Sequence, residues 1–340
     1  MEKPPPSTTQ QTMLLKQSSM RFSLNRTLFL IAVSIAILAL PSFLVGKEGL
    51  LVLQNISLSI VIAVFFLSLT RWFLLSWRWQ LLLEANQHQW KKKNLLPIVL
   101  AIDFFGDNGP ASLGSFASSL LLFKQRGIPT STTTAINNLL FLLDLAAVGT
   151  VILAALLFAT NMNIGLSWLA AASMALLLFS VLALIVLIHH IDKATQLILR
   201  LPLPNKLLLK QRKKAFFWWY RLQRSLKITT AIRPNKIAAL YLISLSSWGI
   251  RFSMLFIALI ALGAEINWPV TALIQFISGL AGMISFLPGG FPSMDISITV
   301  LLSSHLEQNI ILPALLLWRL ATYHVNFIAG SLSILWLARK

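Results

Sequence analysis

Residues 94–126, NLLPIVLAIDFFGDNGPASLGSFASSLLLFKQR, decide how the chain is laid out. Asn94–Phe104 and Ala111–Phe123 are apolar segments of eleven and thirteen residues. Each falls short of the roughly 20 residues that a helix needs to cross about 30 Å of hydrocarbon. Between them stands the break Phe105-Gly106-Asp107-Asn108-Gly109-Pro110, with Lys91–Lys93 before the stretch and Lys124 and Arg126 after it. A single crossing would put one basic end outside, against the preference of Lys and Arg for the cytoplasmic face. The reading is therefore a re-entrant hairpin over 94–123 that enters from the cytoplasm. Such a break survives at membrane depth only where protein or a water-filled cavity satisfies its backbone polar groups.

The rest of the chain supplies the membrane around it. Of 340 residues, 57% are hydrophobic and 11% charged, with a mean hydropathy of +0.78. A soluble domain carries about 25% charged residues, so a soluble globular enzyme is excluded. Apolar runs predict six full spans, from Thr27 to about Val45, then Ile56–Leu75, Thr134–Ala159, Trp168–Ile188, Ile237–Leu262 and Ile311–Leu337. A second hairpin, 270–304, is expected around the break Pro288-Gly289-Gly290-Phe291-Pro292; basic residues are absent from both its ends, so it enters from the outside. The fold class is then an all-α polytopic membrane protein, with a polar cytoplasmic tail at 1–26 and one transmembrane domain over 27–338. Arg21 and Arg26 at one end and Arg339 and Lys340 at the other place both termini in the cytoplasm.

Each hairpin is followed by a span with one buried charge, at a spacing of 34 residues from Pro110 to Asp144 and 31 from Pro288 to Arg319. Oppositely oriented repeats with broken helices meeting near the midplane are a common transporter construction. An inverted repeat is expected here.

The formal charge is +18, from 28 Lys and Arg against 10 Asp and Glu, and 12 of the basic residues lie between Lys193 and Lys236. Around Ala215–Arg221 these alternate with aromatic residues, so 189–236 reads as a basic amphipathic loop in the cytoplasmic headgroup plane. Its partner is anionic membrane lipid rather than nucleic acid. Trp72, Trp77 and Trp79 read as an interfacial belt, and Arg78 as part of the basic loop that continues to Lys91–Lys93. There is no cysteine, hence no disulfide and no thiolate metal site.

An ionised group in hydrocarbon is expensive, which singles out Asp103, Asp107, Asp144, Arg251, Asp295 and Arg319. Asp107 is either a substrate or ion contact or a helix cap. Asp144 and Arg319 stand about nine residues into their spans, roughly 13 Å deep. They either pair with each other, or Arg319 meets a phosphate, for which its planar fork is suited. Arg251 is the second phosphate candidate, against a structural pair with Asp144 or Asp295. Asp295 either caps the returning half-helix or neutralises an arginine. His324, one turn from Arg319, is a titratable neighbour. No metal, nucleotide or nucleophile–base motif is found, so no cofactor is expected, and catalysis would rest on Asp107 or Asp295 as base.

Two regions carry a family resemblance. The first is Asn108-Gly109-Pro110-Ala111-Ser112-Leu113-Gly114-Ser115 with the later Lys124-Gln125-Arg126-Gly127. The second is Ser285-Phe286-Leu287-Pro288-Gly289-Gly290 followed by Asp295, Trp318-Arg319 and Gly330. Over about residues 25–338 the chain resembles the transmembrane flippase domain of lysylphosphatidylglycerol synthase and its free-standing relatives. The first region departs from that pattern, with Ser115 and Ser118 where relatives carry a glutamate and an arginine. The resemblance implies translocation of an anionic phospholipid or a polyprenyl-linked intermediate in a bacterial plasma membrane. It also implies a glycosyltransferase or lipid synthase partner. The soluble aminoacyl transferase domain of full-length synthases is not found in these residues, so synthesis of the lysylated lipid is not implied. The alternative is a membrane enzyme or accessory subunit in lipid or surface-glycan biosynthesis.

The topology is testable without a cysteine-free background having to be built. Single cysteines at Lys92, Gln125 and Lys213 are expected to label from the cytoplasm, and at Asn163, Glu265 and Glu307 from outside. External labelling at Gln125 would remove the first re-entrant assignment, and cytoplasmic labelling at Glu307 the second.

Overall fold

The computed structural model describes residues 57–88, 92–108, 113–158, 220–228, 232–284 and 288–339, with isolated helical positions between 168 and 182. Regular structure among these residues is helical throughout. The helices are α1 (Leu58–Ala85), α2 (Lys92–Asn108), α3 (Leu113–Lys124), α4 (Thr130–Phe158), α5 (Pro234–Ala261), α6 (Trp268–Ile284), α7 (Ser293–Leu302), α8 (Gln308–Arg319) and α9 (Val325–Ala338). A short 3-10 turn, Pro288–Gly290, joins α6 to α7, and a π-helical turn, Leu320–His324, joins α8 to α9.

In hydrocarbon a backbone must satisfy its own polar groups, and a helix does so within one segment. Four helical runs are long and apolar enough to cross: α1 with 28 residues, α4 with 29, α5 with 28 and the continuous α8–π–α9 run with 31. At 1.5 Å per residue each exceeds 40 Å, and less than half of each apolar stretch is buried inside the protein. Phe65, Phe66, Phe73, Phe141, Leu157, Phe158, Leu332 and Leu335 stand on that outer surface, which in water would be an aggregation liability and in lipid is the required coat. The protein is an integral, polytopic membrane protein. These four runs coincide with expected spans two, three, five and six. The expected first span, most of the expected fourth, and the basic loop before Tyr220 lie outside the described residues.

Local chemistry sets the ends. Pro234 opens α5 at its first turn, where a missing N–H costs nothing. Gly263 closes it at φ +80°, with the Gly263 N–H donating to Ile260 and the Ala264 N–H to Leu259, the crossed bonds of a glycine-terminated helix. Leu222 and Leu226 of the helical stretch 220–228 pack on Ala135 of α4. Arg221, Arg224 and Lys227 of that stretch remain exposed.

Two expectations are corrected. The second span does not end at Leu75: α1 runs on to Ala85, and Arg78 is buried inside it rather than lying in a cytoplasmic loop. Trp72 and Trp79 are not an interfacial belt. They are 5% and 4% exposed, Trp79 packing on Phe123 of α3 at 4.7 Å, and only Trp77 faces outward. For Arg78 and Trp79 the cause is the same. Past Leu75 the helix turns more polar in composition, but its inner face packs on α2, α3 and α4.

Each short pair packs on itself, α2 on α3 and α6 on α7. A Cβ on Gly106 would come within 3.1 Å of Ser115 Cβ, and one on Gly290 within 2.9 Å of Gly282 Cα. The first break is shorter than expected, because α2 stays helical through Gly106 and Asp107 to Asn108. Across the molecule, α2 lies against α9, and the turn Pro288–Gly290 also touches α2. The two hairpins therefore meet.

The α2–α9 contact hinges on Gly330, where an added Cβ would sit 2.4 Å from Phe104 Cβ. Phe104 is itself buried, at 1% exposure, and has no room to retreat. Gly330→Ala is expected to destabilise the fold by about 1–3 kcal/mol, and Gly330→Leu by more. Thermal unfolding of the detergent-solubilised variants checks it, with Phe104→Ala expected to relieve the Gly330→Ala defect in part.

Candidate functional site

Four arginines and four aspartates stand inside the described helical bundle, and each arginine faces an aspartate on another helix. Arg71 of α1 forks onto Asp103 of α2, with Nη1–Oδ2 at 2.7 Å and Nη2–Oδ1 at 3.1 Å. Arg78 of α1 binds Asp144 of α4 and donates to Ser244 of α5 at 2.9 Å. Arg319 at the end of α8 forks onto Asp295 of α7, Nε–Oδ1 at 2.8 Å and Nη2–Oδ2 at 2.6 Å. Its Nη1 also donates to the Gly289 carbonyl at 2.8 Å. Arg251 of α5 reaches Asp107 of α2 at only 3.6 Å.

These pairs are not equivalent. Two parallel bonds at normal length fix Arg71 and Arg319, and the Arg319 side chain is 4% exposed. The Arg251–Asp107 contact is beyond hydrogen-bond range, and the Arg251 side chain, at 32%, is the most open of the eight partners. Its guanidinium stands 5.7 Å from the Trp248 ring, a weak cation–π hold.

The open pair lies where the hairpins meet. Asp107 and Asn108 end α2; Asn326 of α9 donates through Nδ2 to Asp107 Oδ2, and the Tyr323 hydroxyl donates to Asn108 Oδ1 at 2.6 Å. Tyr323 belongs to the π turn, and a Cβ on Gly289 would meet its ring at 3.0 Å and Arg319 Nη1 at 3.0 Å. Gly289 has φ +62°, so this close approach and this backbone both demand glycine. A π turn displaces the helix register and is frequent at functional sites. Arg319, Tyr323 and Asn326, spaced by four and then three residues around this turn, all reach the same junction. Gln275 of α6 donates to the Arg251 carbonyl at 3.2 Å.

The structure redistributes the expected partners. Asp144 does not pair with Arg319; it is held by Arg78, on a different helix. Arg251 pairs with neither Asp144 nor Asp295, but with Asp107. Asp107 cannot cap a helix start, because it lies in the last turn of α2. Asp295 lies in the first turn of α7, whose N-cap is Pro292, and neutralises Arg319. His324 Nδ1 is 3.0 Å from the Arg319 carbonyl, on the π turn. Pro288, Gly289 and Gly290 form the second break, whereas Gly109 and Pro110 lie outside the described residues. Ser115 packs against Gly106, and Ser118 donates to the Ser115 carbonyl at 3.1 Å. Sequence reading passed over Arg71, Tyr323 and Asn326. For Arg71 the signal was an arginine inside an apolar run; for the other two it was their spacing, four and seven residues after Arg319 on one helical stripe.

Residues 28–330 match the family described as the lysylphosphatidylglycerol synthase TM region. The chain belongs to that family. It is 25% identical over 291 residues to the UPF0104 membrane protein of Archaeoglobus fulgidus, spanning 83% of this chain and 88% of that one. It is also 32% identical over 99 residues to the phosphatidylglycerol lysyltransferase of Staphylococcus haemolyticus, which is 28% of this chain and 12% of that protein. Both members of the open pair, both hairpins and Gly330 fall within the family match.

The pairing makes a discriminating prediction. Arg319→Ala strands Asp295 and is expected to cost about 3–5 kcal/mol. Adding Asp295→Ala should recover most of it, whereas adding Asp144→Ala should add a second loss, because Asp144 serves Arg78. Thermal unfolding of the single and double variants separates the two pairings.

Proposed function

We propose that this family member moves an anionic phospholipid or lipid-linked intermediate across the membrane, the headgroup passing between the hairpins and the tails staying in the bilayer. The observation that carries the reading is the Arg251–Asp107 pair, the one buried ion pair among the described residues that is both loosely made and open. An arginine held at 3.6 Å can turn to a phosphate and form the short bidentate bonds that its present partner does not give it. Arg251, rather than Arg319, is then the headgroup clamp, and Arg319 holds the second break in shape.

The span plan belongs to the same proposal: six crossings, two re-entrant hairpins from opposite faces, and an inverted repeat. Helix lengths support it. The series from α1 to α4 runs 28, 17, 12 and 29 residues, and the series from α5 through the α8–π–α9 run is 28, 17, 10 and 31. Each hairpin's longer arm also packs on the other half's final span, α2 on α9 and α6 on α4. We place the chain in a bacterial plasma membrane with both termini cytoplasmic, acting as a carrier rather than an enzyme, beside a glycosyltransferase or lipid synthase.

Purified protein in liposomes should accelerate transbilayer exchange of labelled phosphatidylglycerol or of a lipid-linked sugar. Loss of a charge-assisted bond worth about 1.5–3 kcal/mol predicts that Arg251→Ala slows exchange about 10- to 100-fold. Arg251→Lys, which keeps charge but loses the fork, should fall between. Unchanged exchange in folded Arg251→Ala protein would reject the clamp, and no acceleration by wild type across phospholipids and lipid-linked sugars would reject transport.

A further inference from the structure

We infer that Asp107 is a proton-binding site that fills when Arg251 leaves it for a lipid phosphate, so that each headgroup entering the cleft is accompanied by one proton. This rests on the reading of Arg251 as the headgroup clamp.

Among the described residues, Arg251 is the one cation in ion-pair contact with Asp107. From α1, Arg71 forks onto Asp103 and has both arms committed there. From α2 itself, Asp103 stands one turn earlier on the same face, a like charge balanced by Arg71. From the last span, Arg319 is committed to Asp295 and the Gly289 carbonyl, and the His324 ring lies against the Arg319 carbonyl. Tyr323 donates to Asn108, not to Asp107. From α7, Asp295 is held by Arg319. From α5 comes Arg251 alone. Asp107 also stands in the last turn of α2, where unpaired carbonyls carry partial negative charge. Once Arg251 turns away, that carboxylate keeps the Asn326 amide and the more distant charge of Arg71, which Asp103 already balances. Taking a proton is the response of a buried acid that has lost its partner.

Asn326 is built to receive either form. Its Nδ2 donates to Asp107, its residue is 3% exposed, and its Oδ1 has no hydrogen-bond partner among the described residues. A carboxylate only accepts, whereas a carboxylic acid also donates. Turning the Asn326 amide over presents Oδ1 to the new O–H, so the acid is satisfied by the same side chain. A hard cation would need about six oxygens, and Asn108 Oδ1 is already taken by Tyr323. The site suits a proton.

The charges balance. Before binding, Arg251 and Asp107 cancel. Afterwards Arg251 cancels a phosphate monoanion, and Asp107 is neutral by a proton taken from water. The lipid and its proton cross together with no net charge moved.

The test uses the full chain in detergent, weakly buffered near neutral pH and free of sodium, titrated with short-chain phosphatidylglycerol. A pH indicator reads proton uptake and tryptophan fluorescence reads binding. Wild type should take up about one proton per lipid bound, and Asp107→Asn should bind lipid with that uptake lost. Binding without uptake would overturn the proton site while leaving the clamp, as would binding that appears only when sodium is added. An infrared arm needs no lipid: Arg251→Gln should show a carboxylic-acid carbonyl band that is missing from wild type and from Arg251→Gln/Asp107→Asn. That band with no lipid binding would reject the clamp and keep the proton site. Its absence from folded Arg251→Gln protein would reject the proton site.

Discussion

Charge compensation inside the bilayer is the constraint on which the rest of this structure depends. An ionised side chain in hydrocarbon is tolerated only with a partner, water or a polar ligand. Arginine cannot escape by losing its proton, so each of the four inner arginines must find an acid. None finds it on its own helix. The pairs join α1 to α2, α1 to α4, α5 to α2 and α8 to α7. Pairs of this kind add little net stability over well-packed apolar residues, yet breaking one is costly. Their effect is therefore on arrangement. A helix docked in the wrong place would strand two charges at once, which disfavours alternatives that mere hydrophobicity would accept, since lipid is as apolar as a leucine side chain.

The same constraint explains how two broken helices persist. A break frees backbone donors and acceptors where no water need be present. At the second break the freed Gly289 carbonyl is taken by Arg319, whose other arm is on Asp295. At the first, the end of α2 is held through Asn108 by Tyr323 and through Asp107 by Asn326. One helical run thus closes both breaks, with the π turn standing between Arg319 and Asn326. Small residues do the remaining work of approach, Gly330 under Phe104 and Gly282 under Gly290.

Much of the architecture was legible in the sequence because hydrocarbon thickness is a ruler. Runs near 20 residues read as crossings, and four described spans stand where length put them; the two helix pairs were legible from their Gly/Pro breaks and from the placement of basic residues, and a helix pair stands at each place. Boundaries were less legible where a helix leaves the apolar regime yet stays packed. Hydropathy falls after Leu75, but Trp79, Leu82 and Leu83 continue a buried stripe, so Arg78 was read as cytoplasmic when it is an inner charge. The site was legible as a list of charges and not as a set of pairs. Which arginine meets which acid depends on rotation about each helix axis, and a single π turn shifts that rotation by about 100° for everything that follows. Tyr323 and Asn326 stand four and seven residues after Arg319, a regular helical stripe, but as uncharged polar side chains they draw less notice in an apolar run than the charges do.

The two halves carry similar helices but dissimilar pairs, and that difference bears on how such a protein could work. A carrier needs one part that keeps its shape and one whose partners can be exchanged. Arg319 and Asp295 make short, doubled, buried bonds that include backbone, so separating them costs the full penalty of two unpaired charges. Arg251 and Asp107 make one long contact, with the arginine side chain partly exposed. A ligand can shift an equilibrium only by its difference in affinity for the two states, and a partner already held loosely lowers the affinity that a headgroup must supply. An inverted repeat would make the two hairpins geometrically interchangeable. The charges make them unequal. Among the described residues the second hairpin carries the doubled Arg319–Asp295 pair alone. The first carries a doubled pair, Arg71–Asp103, and beside it the looser Arg251–Asp107, which on the proposed reading is the contact a phosphate would replace.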